Sequence, residues 1–185
     1  MCNGYLEIIV GPMFSGKTSS LIPLFRRFTK AKKNVLVVNY AGDTRYSTSH
    51  LSTHDGQMIP CTMTYRLENV HTTAMEADVI LVNECQFFAD LKDYIPKWVD
   101  DGHKRVYICG LDGDYKRQTF GDTLSLVPLA DKVIKLTSIC EDCGDDAPFT
   151  FRYPSDSNGS QIQIGVKEYK ACCRRCYQEE TKKVA

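Results

Sequence analysis

The chain has 185 residues, which suits one domain of ordinary size, alone or with a small appendage. Its apolar fraction of 43% can form a real core and excludes global disorder. Basic and acidic residues both number 23, so the net charge is zero and gives no electrostatic support for binding nucleic acid. No apolar run approaches the ~20 residues of a membrane span. No secretory signal is visible either, so we expect a cytosolic or nuclear protein with reduced cysteines.

The first 138 or so residues alternate short apolar runs with helical patterns. The runs are rich in Val, Ile and Leu, which is typical of strands covered on both faces. Strands are predicted at 6–10, 34–40, 78–83, 105–110 and 132–137, and the main helices at 17–30 and 91–101. This alternation predicts an α/β fold with a mostly parallel sheet flanked by helices. Ligands of such sheets bind at the carboxyl ends of the strands.

A phosphate-loop pattern, G-x-x-x-x-G-K-[ST], lies between the first strand and the first helix. Its glycines let backbone N–H groups surround phosphate oxygens, and the following helix points its positive end at them. We expect Lys17 to reach the β- and γ-phosphates and Thr18 to ligate Mg²⁺. The predicted nucleotide-binding residues of this loop are Gly11, Pro12, Met13, Phe14, Ser15, Gly16, Lys17 and Thr18. The alternative is a glycine turn that binds nothing.

The strand predicted at 78–83 runs into an acid, Glu84, as the second nucleotide motif of P-loop proteins does. At that strand end the carboxylate would face the γ-phosphate. It could accept a proton from an attacking hydroxyl or water as a general base, a contribution of about 10²–10⁴-fold. The alternative is that Glu84 only caps the next helix.

Two polar stretches, 43–55 and 113–123, are long for connections within a compact domain. Loops beyond about 12 residues are usually functional or disordered. Another composition begins at Cys140, where cysteine, aspartate, glycine, tyrosine and arginine become frequent. We therefore divide the chain into a nucleotide-binding domain, 1–138, and a small module, 139–185.

Two CxxC pairs, Cys140/Cys143 and Cys173/Cys176, predict a closed tetrahedral zinc site, usually a structural one. The alternatives are two disulfides or free thiols. A reducing compartment disfavours the disulfides. Cys172 is a rival ligand, although the CxxC register favours Cys173. Because so small a module buries little, we expect the metal to supply its stability.

Between the cysteine pairs, two extended runs at 149–153 and 161–166 flank Asn158-Gly159. An Asn-Gly pair between β-prone segments predicts a hairpin turn. The sequence thus predicts a loop held at both ends by the metal site, without showing what this loop contacts.

Taken together, the motifs resemble type II thymidine kinases, a family of cellular cytosolic and poxviral enzymes. The matching segments are GPMFSGKT (11–18), DTRYS (43–47), THD (53–55), ECQFF (84–88), LDGDY (111–115), FG (120–121), LVPLAD (126–131) and the CxxC pairs. They follow the family order over nearly the whole chain. The resemblance implies a P-loop (RecA-like) kinase domain followed by a zinc module with a lasso loop.

The activity implied by this resemblance is ATP- and Mg²⁺-dependent phosphorylation of the thymidine 5′-hydroxyl, a cytoplasmic salvage step for DNA synthesis. Glu84 would be the general base, with Asp43 and Arg45 beside the reacting phosphates. The lasso would hold thymine largely through backbone groups. The implied substrate-binding residues are Met13, Phe87, Leu111, Tyr115, Phe120, Thr150, Ile162, Gln163, Ile164, Gly165 and Tyr169. A homotetramer inhibited by thymidine triphosphate is also implied, with no membrane partner.

Asn83 departs from the family pattern, which generally has aspartate before the catalytic glutamate. An amide keeps the shape and hydrogen bonding but removes a charge near the metal. Either Thr18 and the phosphates hold Mg²⁺ without that charge, which we favour, or activity is reduced. The lasso also carries one extra residue, and Ile164 stands where the family often has glycine.

Two other classes of protein share part of these features. A nucleic-acid-stimulated ATPase with a RecA-like core and a zinc ribbon would also contain Lys17, Thr18, Glu84 and the cysteine pairs. It predicts a basic groove, which the neutral charge disfavours. A non-enzymatic zinc interaction module with a vestigial loop is disfavoured by the intact Lys17, Thr18 and Glu84.

Overall fold

The computed structural model describes residues 3–43, 50–52, 56–154, 160–163 and 165–184. Four α-helices are described: α1 (Lys17–Lys30), α2 (His71–Glu76), α3 (Leu91–Pro96) and α4 (Arg174–Val184). The strands are β1 (Tyr5–Gly11), β2 (Val35–Tyr40), β3 (His50–Ser52), β4 (Met58–Pro60), β5 (Thr62–Thr64), β6 (Val79–Val82), β7 (Arg105–Leu111), β8 (Lys132–Lys135), β9 (Ser138–Ile139), β10 (Asp146–Ala147), β11 (Phe149–Arg152) and β12 (Tyr169–Cys172).

A six-stranded sheet forms the centre of the molecule, in the order β5-β2-β6-β7-β1-β8, and every pairing is parallel. The predicted fold class and all five predicted sheet strands are confirmed. Strand β5 was not predicted, because three residues are too few to show a periodic pattern. The helix at 17–30 is confirmed to the residue.

The predicted helix at 91–101 is α3 followed by a π-helical turn, Lys97–Asp101. Proline has no N–H to donate, so the α-helical hydrogen-bond ladder is interrupted at Pro96. The turn closes with the Gly102 N–H donating to the Lys97 carbonyl at 2.9 Å. Three 3₁₀ segments complete the helical structure of the described residues, at Leu67–Val70, Cys85–Phe87 and Thr123–Leu129.

Alternate residues of the central strands pack on opposite faces of the sheet. Ile80 and Val82 of β6 belong to the core that includes Trp98 and the helix α3. Leu81, between them, packs in the core of α1 and the β3–β4 hairpin. Because both faces are covered, the central strands are apolar at most positions, and β6 at all four, which explains the apolar runs in the sequence.

In the C-terminal module the predicted pairing of 149–153 with 161–166 is wrong. Strand β11 pairs antiparallel with β12 instead, with Thr150 opposite Ala171. Of the later run, the described residues 161–163, 165 and 166 form no strand. Strand β12 is the better partner because Ala171 and Cys172 are fully buried in the module's core. The Asn158-Gly159 turn lies outside the described residues.

Among the parts of the chain that the structure describes, we find no helix whose length and apolar character would let it cross a bilayer. The candidate site lies at the carboxyl ends of β2, β6, β7 and β1, which are neighbours in the sheet. The division at residue 138 into two domains stays a prediction.

Candidate active site

The phosphate loop connects the carboxyl end of β1 to the start of α1, as predicted. Gly16 adopts φ 79°, a left-handed conformation that glycine enters without steric cost. A Cβ at Gly11 would lie 2.6 Å from the Leu136 carbonyl oxygen, so a larger residue there would displace the adjacent backbone. The Lys17 amine donates to the Pro12 carbonyl at 2.5 Å. Its charge is thus held inside the loop.

The Thr18 hydroxyl is oriented by a buried, uncharged network at the end of β6. It donates to the Asn83 amide oxygen at 3.1 Å, and the Asn83 amide nitrogen donates to the Asn39 oxygen at 2.8 Å. The Cys109 thiol also donates to the Asn83 oxygen, at 3.0 Å. Burial raises the pKa of Cys109 well above its usual value, so this thiol is a neutral donor. The network therefore holds Thr18 without a carboxylate.

Glu84 follows β6 in a left-handed backbone conformation, φ 52° and ψ 41°. For a residue with a side chain this conformation costs of order 1–3 kcal/mol, and such residues cluster at functional sites. The side chain makes no capping hydrogen bond to the 3₁₀ segment Cys85–Phe87, which disfavours a purely capping role. Instead it accepts a hydrogen bond from the Gln86 amide at 2.6 Å. The carboxylate lines a cavity that it shares with the phosphate loop.

That cavity has a volume of about 500 Å³ and brings together most of the predicted site residues. Asn83 lies buried beneath Thr18, and Gly11 and Pro12 belong to the loop without lining the cavity. Arg45, Ile164 and the segment 53–55 lie outside the described residues. The predicted residues that line the cavity are Met13, Phe14, Ser15, Gly16, Lys17, Thr18, Asp43, Glu84, Phe87, Leu111, Tyr115, Phe120, Thr150, Ile162, Gln163, Gly165 and Tyr169.

One wall of the cavity is aromatic. Phe87 stacks on Tyr40 with ring centroids 4.9 Å apart and meets Phe120 edge-on at 5.4 Å. Stacked and edge-to-face rings fix each other's orientation. Phe87 and Phe120, together with Leu111, give the cavity an apolar surface, and the phosphate loop lines the same cavity.

The loop 113–123, which contributes Phe120 to that wall, also lines the cavity through Gly113, Asp114 and Tyr115, and a side chain of the lasso is attached to it. The Gln161 amide donates to the Asp114 carboxylate at 2.8 Å. Asp114 also accepts from the Lys116 and Gln118 backbone N–H groups, at 2.8 and 2.9 Å. At the two ends of this short segment, Arg152 donates to the Ser160 carbonyl and Tyr169 to the Gln163 carbonyl. We call the Gln161–Asp114 contact the clasp.

Sequence reasoning missed seven of the residues that line the cavity: Ser19, Ser52, Gln86, Gly113, Asp114, Gln161 and Val166. Gln86 and Asp114 fall within matched motifs, ECQFF and LDGDY. Motif membership alone does not show which side chain points into a site. Gln161 lies in the lasso, which carries one residue more than the family pattern, so no motif in the sequence identified it.

In the module, the Sγ atoms of Cys140, Cys143, Cys173 and Cys176 all lie within 4.8 Å of one another. A tetrahedral zinc ion with bonds of about 2.3 Å places its sulfur atoms about 3.8 Å apart, and Cys143 and Cys173 are 3.6 Å apart. The cysteines are free, so the disulfide alternative is not supported. Cys172 is not in the cluster; its thiol faces Asp142 at 3.8 Å, and burial raises its pKa to about 12.

The module and the phosphate loop are in direct contact. The Met13 N–H donates to the Thr150 hydroxyl of β11 at 2.9 Å. Farther along, the Tyr177 hydroxyl donates to the Tyr115 carbonyl at 2.6 Å. The cysteine cluster therefore supports the strand and helix that hold two sides of the cavity. A phosphate loop, a strand-end carboxylate and an apolar slot in one cavity define the class: a P-loop phosphotransferase acting on a small molecule.

Comparison with known proteins gives the family. The thymidine kinase family model matches residues 4–177. The cytosolic thymidine kinase of Gallus gallus is 39% identical over 174 residues, which cover 94% of this chain and 77% of that protein. The thymidine kinase of Yaba monkey tumor virus is 39% identical over 175 residues, 95% of each chain. The cytosolic enzyme of Homo sapiens is 39% identical over 174 residues, 94% of this chain and 73% of that one.

This chain belongs to the thymidine kinase family. Membership confirms the resemblance and favours the kinase hypothesis over the nucleic-acid ATPase and the non-enzymatic zinc module.

Proposed function

We propose that this kinase transfers the γ-phosphoryl group of ATP to the 5′-hydroxyl of thymidine and releases thymidine monophosphate and ADP. A bond forms between the 5′-oxygen and the γ-phosphorus, and the bond from that phosphorus to the β–γ bridging oxygen breaks. The hydroxyl proton passes to Glu84. The observation that carries the proposal is the shared cavity, which is lined by Lys17 and Thr18 of the phosphate loop, by Glu84, and by the apolar residues Phe87, Leu111 and Phe120.

The nucleotide end of the cavity is assigned to ATP and Mg²⁺. Lys17 neutralises charge on the β- and γ-phosphates, and Thr18 supplies a hydroxyl oxygen of the kind that Mg²⁺ prefers. The bound metal adds charge neutralisation to the transferring phosphoryl group. Asn83 acts through Thr18, which it orients. Asp43, at the end of β2, and Arg45 are proposed to support the reacting phosphates.

The base end is assigned to thymidine. Phe87, Phe120 and Leu111 offer an apolar surface for a pyrimidine ring and its methyl group. Such a surface distinguishes a single methyl by only about 1–3 kcal/mol. Recognition of the pyrimidine edge is therefore assigned to lasso backbone groups near Thr150, Ile162, Gln163, Ile164, Gly165 and Tyr169.

Zn²⁺ is the metal we propose for the four cysteines, because four thiolates at tetrahedral spacing match its preferred donor set. Its role would be structural, since all four positions are protein ligands. Metal content of the purified protein, measured by atomic emission, tests this assignment. One zinc per chain is expected.

The cellular setting and assembly are proposed from the family resemblance. We place the activity in the cytoplasm as part of thymidine salvage for DNA synthesis. We propose a homotetramer inhibited by thymidine triphosphate; β8 is an edge strand of the sheet whose Val133 is 43% exposed, beside Leu129 at 51%. Light scattering tests the assembly, and activity titrated with thymidine triphosphate tests the inhibition.

The decisive experiment measures thymidine monophosphate formed from labelled thymidine and Mg·ATP by the wild type and by Glu84→Gln. The variant keeps the shape of the side chain and removes the base, so kcat should fall about 10²–10⁴-fold while ATP binding persists. Glu179→Gln, on the exposed surface of α4, is the matched control and should leave activity unchanged. ATP hydrolysis stimulated by nucleic acid, without thymidine phosphorylation, would overturn the proposal.

A further inference from the structure

Gln86 makes two hydrogen bonds that join the proposed base to the thymidine wall. Its side-chain nitrogen donates to Glu84 Oε2 at 2.6 Å, and its side-chain oxygen accepts the Leu111 backbone N–H at 3.0 Å. The orientation of the amide is determined, because a backbone N–H can only donate. Gln86 is only 4% exposed, so its side chain is surrounded by protein on most sides.

Two glycines make room for this side chain. A Cβ at Gly110 would overlap the Gln86 side-chain oxygen and the Cys85 sulfur. A Cβ at Gly121 would overlap the Gln86 backbone, and Gly121 itself has φ 60°. Close packing on two sides leaves Gln86 one conformation, so its amide nitrogen is a fixed point in the cavity wall.

Glu84 needs such a fixed point. Its left-handed backbone belongs neither to β6 nor to the 3₁₀ segment that follows, so regular secondary structure does not set the direction of its side chain. A donor 2.6 Å from Oε2 determines the rotation of the carboxylate.

We propose that Gln86 is the positioning residue of the reaction: it fixes the Glu84 carboxylate toward the 5′-hydroxyl and links that carboxylate to the Leu111 backbone in the cavity wall. The inference rests on the proposed role of Glu84 as the general base. Misplacing a reacting group by about 1 Å costs on the order of 10²-fold. Loss of the Gln86 donor should therefore lower kcat by about 10- to 100-fold and change KM for either substrate little.

Gln86→Glu separates positioning from folding. The carboxylate that it introduces keeps the shape and still accepts the Leu111 N–H, but it faces Glu84 with an acceptor in place of a donor. Two carboxylates so close share a proton, which occupies the base at low and neutral pH. The kcat of the variant should be lowest at low pH and recover as the pH rises and that proton leaves. The other ionisable groups near the pair are Lys17, Asp43, Asp114, Tyr115, Tyr169, Cys85 and Cys109.

Gln86→Met, alone and combined with Glu84→Gln, forms the second arm. If Gln86 acts through Glu84, the methionine substitution lowers kcat in the wild type but has almost no further effect once the base is absent. An equal fold-loss in both backgrounds would overturn the proposal and leave Gln86 a purely structural residue. So would a Gln86→Glu enzyme with the wild-type kcat and pH profile. Full activity of Glu84→Gln alone would instead overturn the proposed base.

Discussion

The floor and the roof of the cavity are built on different principles. The floor consists of the ends of four adjacent parallel strands, where Lys17, Thr18, Glu84 and Gln86 are held by buried neighbours and backbone geometry. The roof is the described lasso segment 160–163, which contains no regular structure and is attached by single side-chain hydrogen bonds. On the proposed function, chemistry that requires fixed geometry lies on the floor, and recognition of the pyrimidine lies on the roof.

This difference predicts that the two substrates depend on different parts of the molecule. The affinity for ATP should respond to changes in the floor, and the affinity for thymidine should respond to changes in the roof. Three substitutions test the division, in decreasing order of expected effect.

The largest effect is expected from Cys176→Ser, which removes one of the four clustered thiolates. Metal binding in small modules is coupled to their folding, so β11, β12 and the lasso should lose their support. Thymidine affinity should fall roughly 100-fold or more because the recognising hydrogen bonds are lost together. ATP affinity should change only a few-fold, because the floor has its own core. Calorimetric titration with each ligand measures both.

Cys172→Ser is the matched control for this variant. It changes the neighbouring thiol, which faces Asp142 and not the cluster. It should retain one zinc per chain and near-wild-type thymidine affinity. Loss of zinc from Cys172→Ser would mean that Cys172, and not Cys173, is the ligand.

A smaller effect is expected from Gln161→Glu, which places a carboxylate against Asp114 at the clasp. Repulsion should open the roof and raise KM for thymidine about 10-fold, since hydrogen bonds to charged groups are worth 1.5–3 kcal/mol. The kcat and KM for ATP should hardly change. Steady-state kinetics with each substrate varied in turn measure this.

Two further variants check that the clasp causes the effect. Gln118→Glu adds the same charge to the exposed face of the same loop and should leave KM unchanged. Asp114→Asn, combined with Gln161→Glu, supplies an amide donor to the new carboxylate and should restore part of the affinity. If the double variant has a lower affinity for thymidine than Gln161→Glu, the clasp does not hold the roof.

The floor was more predictable from sequence than the roof. The phosphate loop, the helix 17–30 and Glu84 were located correctly because glycine geometry and strand–helix alternation are local properties of the chain. The module was harder. Its β11 strand pairs with β12 across the lasso, and a turn signal at Asn158-Gly159 does not reveal such a long-range choice. The roles assigned to individual site residues stay predictions.

The contacts of Gln86 and Asn83 were also beyond sequence reasoning. Gln86 is fixed by Gly110 and Gly121, which approach it from other parts of the chain. The sequence shows that Asn83 departs from the family pattern, but it does not show that Asn83 bonds to Asn39 and Cys109. Such partners are set by three-dimensional packing, which hydrophobic periodicity does not encode.

The smallest effect is expected from Asn83→Asp, which restores the charge of the family pattern beneath Thr18. The Mg²⁺ concentration that half-saturates activity should fall about 3-fold, because a carboxylate near the metal adds to its neutralisation. The same buried charge must be desolvated among Asn39 and Cys109, so the variant should unfold about 1–3 kcal/mol more easily. Activity titrated with Mg²⁺ and thermal denaturation measure the two effects.

Asn39→Asp is the control. It places the same charge on the next residue of the hydrogen-bond network, which bonds to Asn83 and not to Thr18. This variant should lose stability without lowering the Mg²⁺ requirement. If Asn83→Asp instead raises that requirement, the neutral network orients Thr18 better than the charged one does. The asparagine would then favour Mg²⁺ binding in this protein.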